Sequence, residues 1–156
     1  MPQSTNPAAS PREVVDRALQ LVLDYDLNGY LELFAPNGSL EFPFAPPGLP
    51  ARMKGRDQIG AALLPLWEQA WEAGWRSTGY SPVVVHQTAN PEVVIAEFDL
   101  YGEVATTKET FQLAFIHVYR VRDGRIVSLR DYWNPQVLSG GFETTASSNA
   151  LLVGAP

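Results

Sequence analysis

"FIHVYRVRDGRIVSLRDYW", residues 115–133, carries the strongest hairpin signal in the chain. Asp123-Gly124 is the dipeptide of a two-residue type I′ turn, which needs positive φ at both central positions. With the turn placed there, Arg122 faces Arg125. Strict pairing then sets Val121 against Ile126, Tyr119 against Ser128, His117 against Arg130, Ile116 against Asp131 and Phe115 against Tyr132. Directly opposed residues share a face. One face carries Ala114, Ile116, Val118, Val127, Leu129, Asp131 and Trp133; the other carries Phe115, His117, Tyr119, Val121, Ile126, Ser128, Arg130 and Tyr132. Neither is a plain solvent face. We expect helices on the Asp131 side and, on the other, a second copy of the chain, since a sheet apolar on both sides must be covered on both.

A carboxylate on a helix-covered face loses water, which disfavours its ionised form unless a cation or several donors compensate. Asp131 is therefore a candidate general acid or base. The structural alternative is an acid satisfied by Asn134 or by backbone N–H groups. Ile116, Leu129 and Trp133 share its face and become candidate pocket residues. His117, opposite Arg130 in this register, points away from Asp131, which disfavours an Asp-His catalytic pair and suits an interface.

Working outward, residues 82–87, 93–103, 111–122 and 126–134 alternate with period two and read as four strands, separated by turn signals such as ANPE at 89–92. Within the second, Glu97, Asp99 and Tyr101 share one face and Val94, Ala96, Phe98 and Leu100 the other; taken alone, this reads as acids in water. Upstream the period is helical. Ser10, Pro11 and Glu13 form a capping box with Pro at the first helical position, followed by Val15, Ala18, Leu19 and Val22, and this helix is expected to end near Asn28-Gly29. Residues 30–34 read as a helical turn, PNGS at 36–39 as a turn, and residues 40–44 as a short strand that Pro43 places at an edge. Asp57 can cap a second helix carrying Ile59, Leu63, Leu66 and Ala70, which Pro65 should break or kink. Trp67, Trp71 and Trp75 fall four apart on one stripe, as core or as a pocket wall. Helices first and an antiparallel meander after is the α+β order. We expect one domain at 10–138, a frayed tail at 1–9 and a flexible tail at 139–156.

Composition excludes several classes of function. The chain has 156 residues, 46% of them hydrophobic, which suits a single buried core. Its 11 Lys and Arg against 17 Asp and Glu give a net charge of −6, with no basic cluster to follow a phosphate backbone, so nucleic acid is not an expected partner. It has no Cys and 2 His, which removes thiolate chemistry and Cys-based metal sites; no metal and no organic cofactor is expected. No apolar run approaches the roughly 20 residues that span a bilayer, and the N-terminus has no leader pattern, so we expect a cytoplasmic protein without a membrane partner.

The capped helix, D-L-N-G at 26–29, Leu33-Phe34-Ala35, Leu40-Glu41-x-Pro43, K-G-R-D at 54–57 and D-G-R-I-x-x-L-R-D-Y-W-N-P at 123–135 together resemble the SnoaL-like branch of the nuclear-transport-factor-2-like superfamily, over roughly residues 11–138. The resemblance implies a cone: a curved antiparallel sheet wrapped around helices, a ligand cavity inside, and commonly a homodimer through the outer sheet face, here carrying Phe98, Phe115, His117, Tyr119 and Tyr132. Function does not follow from such a fold. Where ketosteroid isomerases of this superfamily place their general base and their first-helix oxyanion Tyr, this chain has Phe42 and Ala18. Where limonene-epoxide-hydrolase-like enzymes use Asp-Arg-Asp, Asp99 and Asp131 match the acids but Glu97 replaces the Arg. The PhzA/PhzB-like proteins are most similar, with an E-x-D like Glu97-Phe98-Asp99, a His like His117 and a last-strand acid like Asp131; that resemblance moves Glu97 and Asp99 into the cavity. It implies a small-molecule isomerase, cyclase or dehydratase working by general acid-base chemistry on a hydrophobic metabolite. Asp131, Asp99 and Glu97 would be catalytic, with Trp67, Trp71, Trp133, Phe44 and Phe42 around the ligand. The alternatives are a ligand-binding accessory protein without turnover and an epoxide-hydrolase-like enzyme.

Overall fold

The structure, a computed structural model, describes residues 7–138. The tail expected at 139–156 lies outside the described residues, as do the first six residues of the one expected at 1–9. Helix α1 (Pro11–Leu23) starts where its capping box puts it: Ser10 Oγ accepts from the Glu13 N–H, and the Glu13 carboxylate accepts from the Ser10 N–H at 2.7 Å. The helix buries Val14, Val15, Ala18, Leu19 and Leu21. It stops at Leu23 rather than near Asn28-Gly29, because Asp26 accepts from the Gly29 N–H and caps a second short helix, α2 (Leu27–Glu32). Helix α3 (Arg56–Glu72) runs through Pro65 as one helix, where a break or kink was expected, and it closes at Ala73.

Strands β1 (Phe34–Glu41), β2 (Arg52–Lys54), β3 (Trp75–Tyr80), β4 (Val84–Gln87), β5 (Val93–Val104), β6 (Thr110–Arg122) and β7 (Arg125–Tyr132) form one sheet in the order β2-β1-β7-β6-β5-β3, with β4 paired to β5. The α+β architecture is the expected one. The sheet is mixed rather than antiparallel throughout, since β1 runs parallel to β7. PNGS does not reverse the chain; it forms an irregular stretch inside β1, where the register to β7 slips between Phe34 and Ser39. The edge strand on this side is β2, and β1 lies inside the sheet. The helices pack on one side of this sheet, and Val15, Phe34, Leu40, Ile59, Tyr119, Ile126 and Leu129 are the most buried parts of the core. No helix among the described residues is long and apolar enough to cross a membrane.

The β6-β7 hairpin decides what faces the helices. Asp123 and Gly124 have φ of 50° and 72°, as a type I′ turn requires, and Arg122 opposes Arg125. The expected register then fails one step later: Val121 opposes Ile126 but Arg120 opposes Ser128, which leaves Val127 as the extra residue of a β-bulge. Beyond it Tyr119 faces Leu129, Val118 faces Arg130, His117 faces Asp131 and Ile116 faces Tyr132. A slip of one residue turns every later side chain to the other face. The inner face therefore carries Phe111, Phe115, His117, Tyr119 and Val121 with Ile126, Leu129 and Asp131, while Ile116, Arg120 and Arg130 lie outside. Phe115, His117 and Tyr119, expected on an outer dimer face, lie inside for this reason, and Phe98 lies inside with them because it opposes Phe115; Tyr132 is outside.

Candidate functional site

Between the inner sheet face and the helices is a cavity of about 240 Å³. At ~30 Å³ per water in the liquid it has room for about eight waters, or for one compact organic molecule. Leu19 and Val22 of α1, Tyr30 of α2 and Leu63, Leu66 and Trp67 of α3 form one side, and Phe98, Phe111, Phe115 and Trp133 the other. The walls are braced ring on ring. Trp133 meets Phe42 edge-on at 5.7 Å, Tyr30 leans on Phe34 at 5.7 Å and on Trp67 at 6.0 Å, and Phe98 stacks on Phe115 at 5.5 Å.

Asp131 and His117 break this apolar lining. Asp131 Oδ1 lies 3.1 Å from His117 Nε2, with side-chain exposures of 15% and 9%. Although close, the contact does not meet hydrogen-bond geometry, and neither buried atom has a hydrogen-bond partner. The other ring nitrogen, Nδ1, lies 3.0 Å from the hydroxyl of fully buried Tyr119. A carboxylate beside Nε2 favours the proton on that nitrogen, so Nδ1 accepts from Tyr119. Phe98 at 4.9 Å and Phe115 at 5.7 Å hold the imidazole edge-on. Burial pushes the Tyr119 phenol well above its ordinary range, reinforced by Tyr30, Asp131 and Tyr80. Burial likewise raises Tyr30, with Asp131 and Tyr80 adding to it, and raises Tyr80. These phenols stay protonated and can only act as neutral hydroxyls.

Asp131 thus stands inside, but beside His117 instead of Ile116. The Asp-His pair that strict alternation disfavours is what the bulge creates. Glu97 and Asp99 lie on the opposite face of β5 from buried Val94, Ala96 and Phe98. Glu97 pairs with His86 at 2.5 Å, both half exposed, and Asp99 accepts from the Gln112 side chain at 2.9 Å. The plain alternation of β5, acids in water, describes the molecule; the inward placement implied by the PhzA/PhzB-like resemblance does not. With Asp99 outside, the cavity also lacks the second acid of the epoxide-hydrolase-like set. Trp67, Trp133 and Phe42 are among the residues that border the cavity. Trp71 is 48% exposed and lies under the Arg76 guanidinium at 3.5 Å, because each four-residue step rotates about 40° around an α-helix. Trp75 leaves the stripe entirely and opens β3. Phe44, 62% exposed, is turned out by a tight turn in which the Ala45 N–H donates to the Phe42 carbonyl. Ile116 is on the outer face, and Leu129 belongs to the solid core. Sequence reasoning missed Tyr30 and Tyr119. A signal for the correct face existed on β6: Gln112, Arg120 and Arg122 all occupy even positions, which marks the odd ones, His117 and Tyr119 included, as interior.

Known proteins share this arrangement of elements. A family model described as a SnoaL-like domain matches residues 15–129. The uncharacterised PhzA/B-like protein PA3332 of Pseudomonas aeruginosa is 36% identical over 126 residues, covering 80% of this chain and 84% of that protein. The uncharacterised protein YesE of Bacillus subtilis is 33% identical over 130 residues, with 83% and 85% covered. The crystal structure of a candidate isomerase from Bacillus subtilis matches with a TM-score of 0.71 at 32% identity, over 84% of this chain and 91% of that one. With its motifs, its curved sheet and these relatives in agreement, the chain belongs to the SnoaL-like domain family.

Proposed function

We propose that this protein is a small-molecule enzyme of isomerase, cyclase or dehydratase type that moves a proton with Asp131 and His117 on a compact, largely apolar metabolite. One observation carries the reading: Asp131 Oδ1 and His117 Nε2 are buried side by side at 3.1 Å, without hydrogen-bond partners, in the wall of an apolar cavity. A buried polar atom without a partner costs about 1–3 kcal/mol, so such a pair is better explained by a ligand that completes its bonds than by stability. The Asp131 carboxylate takes a proton from an acidic C–H of the ligand and returns it elsewhere. His117 stands where it can stabilise the charged carboxylate, and Tyr119 keeps the imidazole in place. The family match and the candidate isomerase among its structural relatives support this class of chemistry.

The test is proton exchange. Cyclic and aryl ketones incubated with the protein in D₂O should lose α-protons by NMR, and Asp131→Asn should slow this by roughly 10²–10⁴-fold, the span of a general acid-base contribution. Exchange that is equally fast in Asp131→Asn would remove Asp131 from the chemistry. Ligand binding with no exchange across the panel would favour an accessory binding protein.

We also propose that two copies pair through the outer sheet face. Support comes from Phe44, Val84 and Ile116, which stay 62%, 50% and 43% exposed. They border a shallow groove that also holds Tyr132.

A further inference from the structure

The inward positions of β6 run Phe111, Leu113, Phe115 and His117, and all of them line the cavity. From the first to the last is about 20 Å of antiparallel strand at ~3.4 Å per residue. The cavity itself is small, about 240 Å³, or room for about eight waters. Waters in single file at ~2.8 Å, about eight of them, already fill that length. The cavity is therefore a slot laid along β6 rather than a bowl, and its two ends differ. Asp131 stands at the end that His117 marks, since these residues oppose each other across β6 and β7. At the other end the slot is closed by rings: Trp75 and Phe111, 6% and 5% exposed, lie 4.5 Å apart. Gly102, opposite Phe111 on β5, makes this wall possible. A Cβ there would collide with the Phe111 ring and with the Arg76 carbonyl oxygen, so the missing side chain is what lets the ring lie across β5 onto Trp75. Ser77 and Tyr25 are the polar residues beside the wall, and the Tyr25 hydroxyl is occupied, donating to the Trp75 carbonyl at 2.9 Å and accepting from the Ser77 N–H at 3.4 Å. Between the ends lie Leu100 and Leu113, a directly opposed pair that lines the middle of the slot.

We propose that the Phe111–Trp75 end is a binding subsite for the tail of the ligand, and that the ligand is an unbranched aliphatic chain of about eight carbons with one polar head group. The head lies beside Asp131 and His117. The tail passes between Leu100 and Leu113 and stops against the Phe111 and Trp75 rings. Only the choice of end for the head rests on the proposed role of Asp131; the slot and its wall rest on packing. A chain fits both dimensions, small in volume and drawn out in length. A fused ring system of the same volume would be too short to touch Asp131 and Phe111 together. Methylene groups need no hydrogen-bond partner, and along Leu113 and Leu100 the walls offer none. Phe111 is then the residue that sets chain length, held in place by the glycine opposite it.

The test is a series of straight-chain primary alcohols from 1-butanol to 1-dodecanol, titrated by intrinsic tryptophan fluorescence. Affinity should rise roughly fourfold with each added methylene, the transfer worth of a buried CH₂. The rise should level off at about eight carbons, where the slot along β6 ends. Phe111→Ala takes the wall away and should move that break to chains longer by about two carbons or more, with 1-butanol affinity unchanged. Leu113→Trp fills the half-buried middle of the slot and should move the break to shorter chains; it gives a reading of its own should Phe111→Ala fail to fold. Asp131→Asn should leave the break where it is. Affinity that ignores chain length, a rise that continues unbroken to 1-dodecanol, or a break that either folded wall variant leaves unmoved overturns the proposal. Proton exchange on ketones is read separately, so the tail subsite and the role of Asp131 can each fail alone.

Discussion

Asp131 looks like a residue kept against the interest of stability. Its Oδ1 is buried without a hydrogen bond, and the imidazole beside it, whose Nδ1 accepts from Tyr119, is a neutral partner. Removing the acid therefore leaves no orphan charge, unlike the usual breaking of a buried ion pair. Asp131→Leu should raise stability by about 1–2 kcal/mol in urea unfolding while it abolishes proton exchange. A clear loss of stability would show that the pair is structural. Tyr119→Phe should act in the opposite sense. It strands the buried Nδ1 of His117 and should cost roughly 1–3 kcal/mol, with kcat falling more than KM changes, because the hydroxyl orients the ring without touching the ligand. At this scale the sequence was half legible. An acid among Leu129, Tyr132 and Trp133 advertised itself, whereas Tyr119 did not, because its contact with His117 depends on which face of β6 is interior.

At the scale of elements, the bulge at Val127 determines which way Asp131 points. The turn that starts the hairpin was readable because Asp-Gly has a local conformational meaning. The bulge was not, because Val127 is as good a strand residue as its neighbours and its cause is non-local. Ile126 donates its N–H to the Leu33 carbonyl at 2.8 Å and pairs with Phe34 of β1 in a parallel register that no hairpin rule foresees. Gly38 lets β1 pass this close: a Cβ there would lie 2.7 Å from the Ile126 carbonyl oxygen and 3.0 Å from that of Ala35, both backbone. Gly38→Ala should therefore destabilise by about 2–3 kcal/mol and lower activity with it, while Gly79→Ala, where a Cβ would meet nothing within 4 Å, should do neither. Equal melting temperatures for the two would deny the close approach.

The same hairpin carries an acid-sensitive clamp. Arg122 and then Arg120 hydrogen-bond Glu92 and hold its carboxyl at about 2, against an ordinary 4.5. A folded value below the unfolded one means that the stabilisation is complete above the ordinary range and is lost as pH falls from 4.5 toward 2. Because Glu92 is solvent-exposed, the effect is small: Glu92→Gln should lower Tm by a few degrees at most near neutrality, and the difference from wild type should vanish at the acid end of that window. A gap that stays constant across the window would assign the effect to something other than charge.

For the whole molecule, order and spacing of motifs revealed the architecture, while the identity of the two sheet faces stayed hidden. The cone needs only helices before a meander and the right turns, which are local features. Which side of the β6-β7 hairpin is wet depends on a single inserted residue, and Phe115, His117 and Tyr119 consequently read as a dimer face when the first two line the cavity and Tyr119 is buried behind them. The proposed pairing of two copies therefore moves to other residues. On the outer face Ile116 lies near the middle of the groove, with Val84 on the β4 side and Phe44 against Tyr132 at 5.7 Å on the other. A two-fold contact that buries these side chains removes apolar area from water at about 25 cal/mol per Å², and it would desolvate any charge placed at its centre. Ile116→Glu should convert a dimer into a monomer by sedimentation at micromolar concentration. The substitution points away from the cavity, so proton exchange should be unchanged. Wild-type protein that sediments only as a monomer would remove the pairing, and a variant that stays dimeric would move it to another surface.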